Sequence, residues 1–205
     1  MIAGDKEIFI IRHGETDLNL QGIVQGRGVN PPLNKTGQKQ ARQFYNYYKH
    51  EPFDVIYTSK LLRAHESIGL FAEKGIRWEQ HEELDEISWG IFEGKHASPE
   101  FKARYRDLIE CWNHGHLGEK AVTGESPIDV QERQKKFITY LLQEPYKKIL
   151  ICMHGRAMRI FLPTLLNKPL TTMDQYPHHN LTLYKLKWSD GRFTIDLFNN
   201  MDHLH

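Results

Sequence analysis

The sequence predicts an α/β fold of three layers, with helices on both faces of a mostly parallel sheet and an antiparallel hairpin at one edge. Short runs rich in β-branched residues alternate with segments of helical periodicity along most of the chain. Two of these runs, at 8–12 and 147–153, end in a histidine followed by glycine. Near the end of the sequence, two strand-like segments flank a turn at 189–192, which predicts the hairpin.

Local signals place the elements in order. Asn34, Ser59 and Ser126 each precede helical periodicity and predict helix N-termini, and Pro127 suits a first helical position. The predicted elements are a strand at 8–12, a helix from Asn34 to before Pro52, a strand at 54–59, a helix from Ser59 to Lys74, a strand at 76–84, a helix at 99–112, a helix after Ser126, a strand at 147–153, a helix at 156–166 and a hairpin at 181–198. The length suits one core, so residues 1–205 are predicted to form a single domain.

Composition limits the classes of function. The 205 residues carry 27 basic and 26 acidic side chains, a formal net charge of +1. This balance provides no overall field for nucleic acid or anionic lipid, so an anion site must be local. No window approaches the roughly 18 apolar residues of a membrane span, and the N-terminal sequence does not resemble a secretory signal. We expect a cytoplasmic protein that binds neither nucleic acid nor membrane; the sequence makes no prediction of its oligomeric state.

The cysteines and histidines do not form metal-binding or disulfide patterns. Cys111 and Cys152 lack C-x-x-C spacing, and Cys152 lies inside an apolar strand, so both are expected to be packing residues. The 12 histidines include no H-E-x-x-H or Cys/His ligand pattern. We therefore expect no metal site.

Residues with useful chemistry gather where the predicted strands end. Ligands of open α/β sheets bind beyond the carboxyl ends of the strands, and Arg12, His13, Arg63 and His154 fall at that edge. Guanidinium groups and helix N-termini suit a phosphate, and a neutral imidazole can be a nucleophile. An acid for a leaving oxygen could come from the segment LDEISWGIFEG, which contains Asp85, Glu86 and Glu93.

Six sequence blocks carry a family resemblance. They are RHGET at 12–16 with Asn19 following, PLN-x-x-G-x-x-QA at 32–41, YTSKLLRA at 57–64, L-x-E-x-x-x-G-x-x-EG at 84–94, GES at 124–126 and HG at 154–155. With these blocks in this order and at this spacing, the chain resembles members of the histidine phosphatase superfamily. The matching branch contains cofactor-dependent phosphoglycerate mutases and broad-specificity phosphatases. The resemblance implies a phosphoglycerate mutase-like fold across nearly the whole chain.

The resemblance also implies a role for each matching residue. His13 would accept the phosphoryl group, and Glu86 would protonate the leaving alkoxide and then activate water against the phosphohistidine. Arg12, Arg63 and His154 would bind the phosphoryl oxygens. Asn19, Gln25 and Gly26 match family positions more loosely. Those positions lie in a loop that contacts phosphate or substrate in relatives. This chemistry needs no metal and no cofactor.

The chain departs from the common family pattern at several positions. Lys60 stands where relatives usually have aspartate. Arg156 follows the second His-Gly, where it could bind a second anionic group of the substrate or face solvent. His178 and His179 precede the edge strand, and at most one of them is expected to matter.

Three functions remain open from the sequence. The favoured one is a phosphatase that hydrolyses a small phosphomonoester through a phosphohistidine, and the second is a phosphoglycerate mutase. The resemblance disfavours the mutase, because mutases of this family carry a longer segment here, with an adjacent arginine pair for the substrate carboxylate. Between Gly94 and Gly124 this chain has a short segment in which Arg104 and Arg106 are not adjacent. The third, a non-catalytic phospholigand-binding module, is disfavoured because the nucleophile and the acid are both present.

Residues 88–125 are predicted to form a lid over the active site. The segment begins with the glycines of an irregular excursion and includes the helix predicted at 99–112. Its aromatic side chains could accept an apolar or sugar-like alcohol; they are Trp89, Phe92, Phe101, Tyr105 and Trp112.

Overall fold

Six strands form one sheet in the computed structural model of the chain, which describes residues 4–96 and 98–205. The strands are β1 (Lys6–Arg12), β2 (Val55–Thr58), β3 (Arg77–Gln80), β4 (Lys148–Met153), β5 (Leu183–Ser189) and β6 (Arg192–Asn200). Their order is β3-β2-β4-β1-β5-β6. The first four are parallel and the last two antiparallel, which confirms the predicted sheet with an antiparallel edge hairpin.

Helices cover both faces of the sheet. They are α1 (Asp17–Leu20), α2 (Lys35–Tyr48), α3 (Leu62–Ala72), α4 (Pro99–Asn113), α5 (Pro127–Gln143) and α6 (Gly155–Leu165). Helices α2 and α3 pack on one face, and α5 and α6 pack on the other. Single turns of 3-10 helix lie at Glu82–Leu84, Gly90–Phe92 and Asp202–Leu204, and a longer stretch lies at Leu170–Gln175.

The central strands β1, β2 and β4 are mostly apolar, as expected for strands with both faces covered. Successive side chains of a strand point to opposite faces. In β1, Ile8 and Ile10 therefore join the core beneath α5 and α6, whereas Phe9 and Ile11 join the core beneath α2 and α3. Strand β4 alternates in the same way, and its buried Cys152 is a free thiol in the second core.

Two of the predicted N-caps are confirmed. Asn34 Oδ1 accepts a hydrogen bond from Gly37 N at 2.9 Å, at the start of α2. Ser126 and Asp129 form a capping box at the start of α5, with Pro127 as the first helical residue. Each cap satisfies backbone N–H groups that have no partner inside the helix.

The prediction that Ser59 caps the next helix is wrong. Helix α3 begins at Leu62 and its N-cap is Leu61, without a side-chain cap. The Ser59 hydroxyl instead accepts from Leu61 N at 3.2 Å and lies 2.7 Å from His154 Nε2. The helix also ends earlier than predicted, at Ala72, where the chain turns through Gly75 with φ +78°.

Two more local predictions differ from the structure. The strand expected at 76–84 is limited to β3, after which His81 N donates to Thr58 O and a 3-10 turn begins. Helix α1 lies in a segment predicted to be loop. Its single turn is held by a capping box between Thr16 and Asn19, which follows directly on the histidine at the end of β1.

Gly14 allows the loop after β1 to lie against the start of α2. A Cβ at Gly14 would come within 2.8 Å of Gly37 O, and a Cβ at Gly37 would come within 2.1 Å of Glu15 O. The two backbones therefore meet only because neither residue has a side chain. The contact lies next to His13 in the chain.

Residues 88–125, described except for Ala97, build a third core beyond the carboxyl ends of the parallel strands. Trp89, Phe92 and Trp112 pack there with Val130 of α5 and Ile160 of α6. The aromatic side chains that the sequence pointed to are therefore largely packed against the domain. In the described part of the chain, no helix is long and apolar enough to cross a membrane.

Candidate active site

A cavity of about 310 Å³ lies where β1 and β4 end. Its walls come from both strand ends, the loop after β1, helix α6 and the 88–125 segment. The lining residues are Arg12, His13, Asn19, Val24, Gln25, Glu86, Trp89, Tyr105, Gly155, Arg156, Arg159 and His178. Six of the nine residues predicted to form the site are among them.

His13 is held by its own backbone neighbour. Its Nδ1 lies 2.7 Å from Gly14 O, so Nδ1 carries the proton and donates to that carbonyl. The other ring nitrogen, Nε2, is left with its lone pair. Burial and the nearby Arg63 and Arg12 hold the pKa of His13 well below its ordinary value. The imidazole is therefore neutral near pH 7.

His154 lies beside His13 at the start of α6, with a distance of 5.1 Å between the ring centroids. Its Nε2 contacts the Ser59 hydroxyl, and within the described residues its Nδ1 has no hydrogen-bond partner. The residue is fully buried, and burial followed by the charge of Arg63 lowers its pKa well below the ordinary value. Ser59 thus orients this second imidazole.

Arg12 and Arg63 provide positive charge on the side of the cavity that also contains His13 and His154, here called the sheet side. Arg63 is almost completely buried and donates to two backbone carbonyls, Val29 O at 2.9 Å and Gly26 O at 3.2 Å. Burial lowers the pKa of each arginine to about 10, so both remain cationic at neutral pH. The Nε atoms of both arginines are buried without a partner among the described residues.

Glu86 reaches the cavity from the segment after β3. Its Oε1 accepts from Ile87 N at 2.9 Å and Ala157 N at 2.8 Å, and its Oε2 accepts from Arg156 N at 3.1 Å. Two of these donors belong to the first turn of α6, where N–H groups have no partner within the helix. The carboxyl group is thereby held in the wall of the cavity that His13 also lines.

The other two candidate acids are engaged elsewhere. Asp85 accepts from Arg27 at 3.1 Å and from Lys60 N at 2.8 Å. Glu93 accepts from Trp89 N at 2.8 Å and lies against Gly26. Among the described residues that line the cavity, Glu86 is the only carboxylic acid.

The loop after β1 presents amide side chains. Asn19 and Gln25 line the cavity, and Gln25 Oε1 accepts from Thr16 Oγ1 at 3.0 Å. That contact directs the Gln25 amide nitrogen away from Thr16, and the nitrogen is buried without a partner in the described chain. Gly26 lies behind the lining, where its carbonyl accepts from Arg63.

Helix α6 adds two arginines. Arg156 lines the cavity with its side chain only 10% exposed, so the alternative that it faces solvent is wrong. Arg159, which the sequence analysis did not single out, lines the cavity beside it. Helical spacing was the available signal, because residues three apart share a face.

His178 is the histidine of its pair that lines the cavity, and it contacts Arg12 Nη1 at 3.4 Å. Burial, followed by the charge of Arg12, lowers its pKa to about 2. His178 is therefore neutral and adds no charge. Its ring lies so close to α6 that a Cβ at Gly155 would approach it within 3.0 Å.

The arrangement suits a phosphoryl group. Arg12, His13, Glu86 and the start of α6 line the cavity, whereas His154 and Arg63 are buried beside His13 and are not among the described lining residues. The family model for the histidine phosphatase superfamily, branch 1, matches residues 8–201. The chain belongs to the histidine phosphatase superfamily.

Individual histidine phosphatases resemble the chain over most of its length. The adenosylcobalamin/alpha-ribazole phosphatase of Salmonella typhimurium is 27% identical over 176 residues, 81% of this chain and 82% of that protein. A protein of Yersinia enterocolitica named as a probable phosphoglycerate mutase, GpmB, is 27% identical over 190 residues, 90% of this chain and 86% of that protein.

A solved structure of the superfamily superposes closely. Phosphoserine phosphatase from Entamoeba histolytica, solved in complex with 3-phosphoglyceric acid, has a TM-score of 0.84 and 25% identity, covering 98% of this chain and 100% of that one. Together, the family match and the phosphatase relatives make this chain a phosphoric monoester hydrolase of the histidine phosphatase superfamily.

Proposed function

We propose that the protein hydrolyses a small phosphomonoester through a phosphohistidine on His13, without a metal ion. The observation that carries this is the Nδ1 contact of His13 with Gly14 O at 2.7 Å. It places the proton on Nδ1 and leaves the Nε2 lone pair for attack. The low pKa of the buried ring keeps that lone pair free at neutral pH.

In the first step, His13 Nε2 attacks phosphorus, the bond to the leaving oxygen breaks, and Glu86 gives its proton to that oxygen. Arg12 and Arg63 bind the equatorial oxygens, where guanidinium groups stabilise the charge of the transition state. The Nδ1 of His154 and the amide nitrogen of Gln25 supply further neutral contacts. Asn19 lies where it can contact the same group or the leaving alcohol.

In the second step, water replaces the alcohol. The water oxygen attacks phosphorus while Glu86 accepts a proton from that water. The bond between phosphorus and His13 Nε2 breaks, and phosphate is released. The same carboxyl group acts first as acid and then as base. It therefore needs a fixed position near the leaving oxygen in the first step and near the water oxygen in the second. The three backbone contacts of Glu86 provide the fixed position.

The mutase remains the second candidate because it would share these residues. Against it, Arg104 and Arg106 are both exposed on α4 and neither lines the cavity, although Tyr105 between them does. The third alternative, a binding module, is disfavoured because the nucleophile and the acid share one cavity.

We also propose that residues 88–125 close over the bound substrate. Trp89 and Tyr105 from this segment line the cavity, with ring centroids 5.0 Å apart. A small outward movement of these two rings would open the leaving-group side while the strand ends stay in place.

The test is phosphate release in EDTA from p-nitrophenyl phosphate, sugar phosphates, nucleotides and 3-phosphoglycerate, with a mutase assay primed by 2,3-bisphosphoglycerate in parallel. We expect rapid release without isomerisation, together with an acid-labile phosphoenzyme in quenched samples. Isomerisation with little release would make the mutase the correct assignment. Activity that EDTA removes and added metal restores would contradict the metal-independent route.

A further inference from the structure

Arg156 and Arg159 form a second cationic group at the cavity, on a different element from Arg12 of β1 and Arg63 of α3. Both side chains donate to Asp174 Oδ1, which lies in the 3-10 stretch after α6. Arg156 also lies over the ring of Trp112, with 5.6 Å from its guanidinium carbon to the ring centroid. Trp112 is itself fully buried, so the Arg156 guanidinium is held in one orientation.

Asp174 does not neutralise both arginines or pair with all of their N–H donors. It provides one negative charge against two positive ones, and both arginines use the same oxygen atom. Within the described residues, the buried Nε of Arg159 has no hydrogen-bond partner. One positive charge and further N–H donors of the pair therefore remain uncompensated at the wall of the cavity.

The position of the pair defines which part of a substrate it can reach. Arg156 and Arg159 lie in the first turns of α6, immediately after His154, and Arg156 N binds the Glu86 carboxyl. Since Glu86 is the proposed donor to the leaving oxygen, the arginines face the alcohol of the substrate. Tyr105 closes the same side.

Resting on the proposed function, we infer that the preferred substrate is a small phosphomonoester whose alcohol carries a carboxylate, bound by Arg156 and Arg159. A carboxylate has the charge of −1 that the pair and Asp174 leave uncompensated. Its two oxygens match the planar donors of a guanidinium group. The pair lines a cavity of about 310 Å³ that also contains His13 and Glu86.

The experiment compares matched substrates that differ in the anionic group. The pairs are 3-phosphoglycerate with glycerol 3-phosphate, and O-phosphoserine with phosphoethanolamine. We expect wild-type kcat/KM to favour the carboxylate member of each pair by roughly tenfold to a hundredfold, the range for a hydrogen-bonded charged group. A wild-type enzyme that shows no preference, or that prefers a second phosphate, would overturn the inference.

Variants then test whether this preference comes from the pair. Arg159→Gln and Arg156→Gln should each lower the ratio of the two kcat/KM values roughly tenfold, and the double variant should bring it close to one. Arg106→Gln is the matched control, because it removes the same charge from an exposed position on α4. An equal fall of the ratio in the control would mean that only the overall charge matters.

Asp174→Asn separates binding from a structural role. It keeps both arginines and removes the charge of the carboxylate they share, so the preference should persist or increase. If this variant loses the preference as the arginine variants do, the arginines act by holding the 3-10 stretch and the inference fails. If wild type forms no phosphoenzyme and hydrolyses no substrate, including p-nitrophenyl phosphate, the proposed function itself fails.

Discussion

The sheet side of the cavity and the α6 side differ in burial and in what fixes their side chains. On the sheet side, His13, His154 and Arg63 are at most 3% exposed and are held by contacts with backbone carbonyls or with Ser59. On the α6 side, the arginines are partly accessible and are held by one carboxylate that they share. Phosphoryl chemistry is thus fixed by the sheet, whereas contact with the alcohol depends on a helix surface and the 88–125 segment.

The largest expected effect is on the sheet side. His13→Ala should lower phosphate release by on the order of 10⁴-fold or more, because the variant has no nucleophile at the end of β1. Radiolabelled substrate and rapid acid quench should show no phosphoenzyme in this variant. His50→Ala, at an exposed histidine outside the cavity lining, is the control. Retained labelling in His13→Ala would place the nucleophile elsewhere.

Glu86 lies between the two sides and should show a loss that depends on the leaving group. Glu86→Gln should lower kcat for alkyl phosphates by about 10²- to 10⁴-fold, the usual contribution of general acid catalysis. Aryl phosphates should lose far less, since their leaving groups need little protonation. Asp85→Asn is the matched variant at the adjacent carboxyl. Equal losses on alkyl and aryl substrates in Glu86→Gln would assign the acid to Asp85 or Glu93.

Arg133 of α5 connects the acid to the domain. It donates to Glu83 O at 2.7 Å and Asp85 O at 2.9 Å, and its Nε donates to Glu125 Oε1 at 3.0 Å. Arg133→Ala should reduce kcat on alkyl phosphates about ten- to a hundredfold, because the Glu86 segment loses charged hydrogen bonds that hold it.

The same leaving-group dependence separates this positioning role from simple destabilisation. Aryl phosphates should be less affected than alkyl phosphates in Arg133→Ala, as in Glu86→Gln but to a smaller degree. Lys135→Ala, on the exposed face of the same helix, is the control. A uniform loss that follows the fraction of unfolded protein would show that Arg133 only stabilises the fold.

The smallest effect concerns stability and pH. Burial above all, and then neighbouring arginines, lower the pKa values of His13, His154 and His178 in the folded chain. Above pH 6.5, these side chains are neutral in both states and contribute no pH dependence. Below it, the unfolded chain takes up protons that the folded chain refuses, so the free energy of unfolding should fall by roughly 1.4 kcal/mol per pH unit for each histidine.

Chemical denaturation between pH 7.5 and 5 measures this slope in a range above the ordinary titration of carboxylates. His178→Asn should reduce the slope by the share of one histidine, whereas His50→Asn, at an exposed position, should leave it unchanged. A flat profile for wild type would mean that the buried histidines accept protons in the folded state.

Much of the sheet side could be predicted from the sequence, because its signals are local. A buried strand has an apolar run, and a residue just after a parallel strand lies at the edge where ligands bind. Arg12 and His13 follow one such run and His154 follows another, and the structure places the two histidine rings side by side. The strands themselves were predicted to within a few residues for the same reason.

The α6 side was harder to predict because its contacts join distant parts of the chain. Asp174 and Trp112 decide whether Arg156 faces solvent or the cavity, and nothing in the residues next to Arg156 indicates either partner. Ser59 was assigned as a helix cap because serine is a common cap, but its hydroxyl contacts His154, 95 positions away in sequence. Long-range hydrogen bonds of this kind leave no periodic pattern.

Helix α6 carries His154 as its N-cap, binds Glu86 through its first N–H groups and presents both arginines of the alcohol side. Its opposite face is packed in the core through Met158, Phe161 and Leu162. A conservative exchange at one of these core positions would shift the acid and the arginines together while leaving His13 on its own strand. Laboratory evolution for new substrates could therefore succeed through mutations that never touch the cavity, and screening libraries of this enzyme should include the buried face of α6.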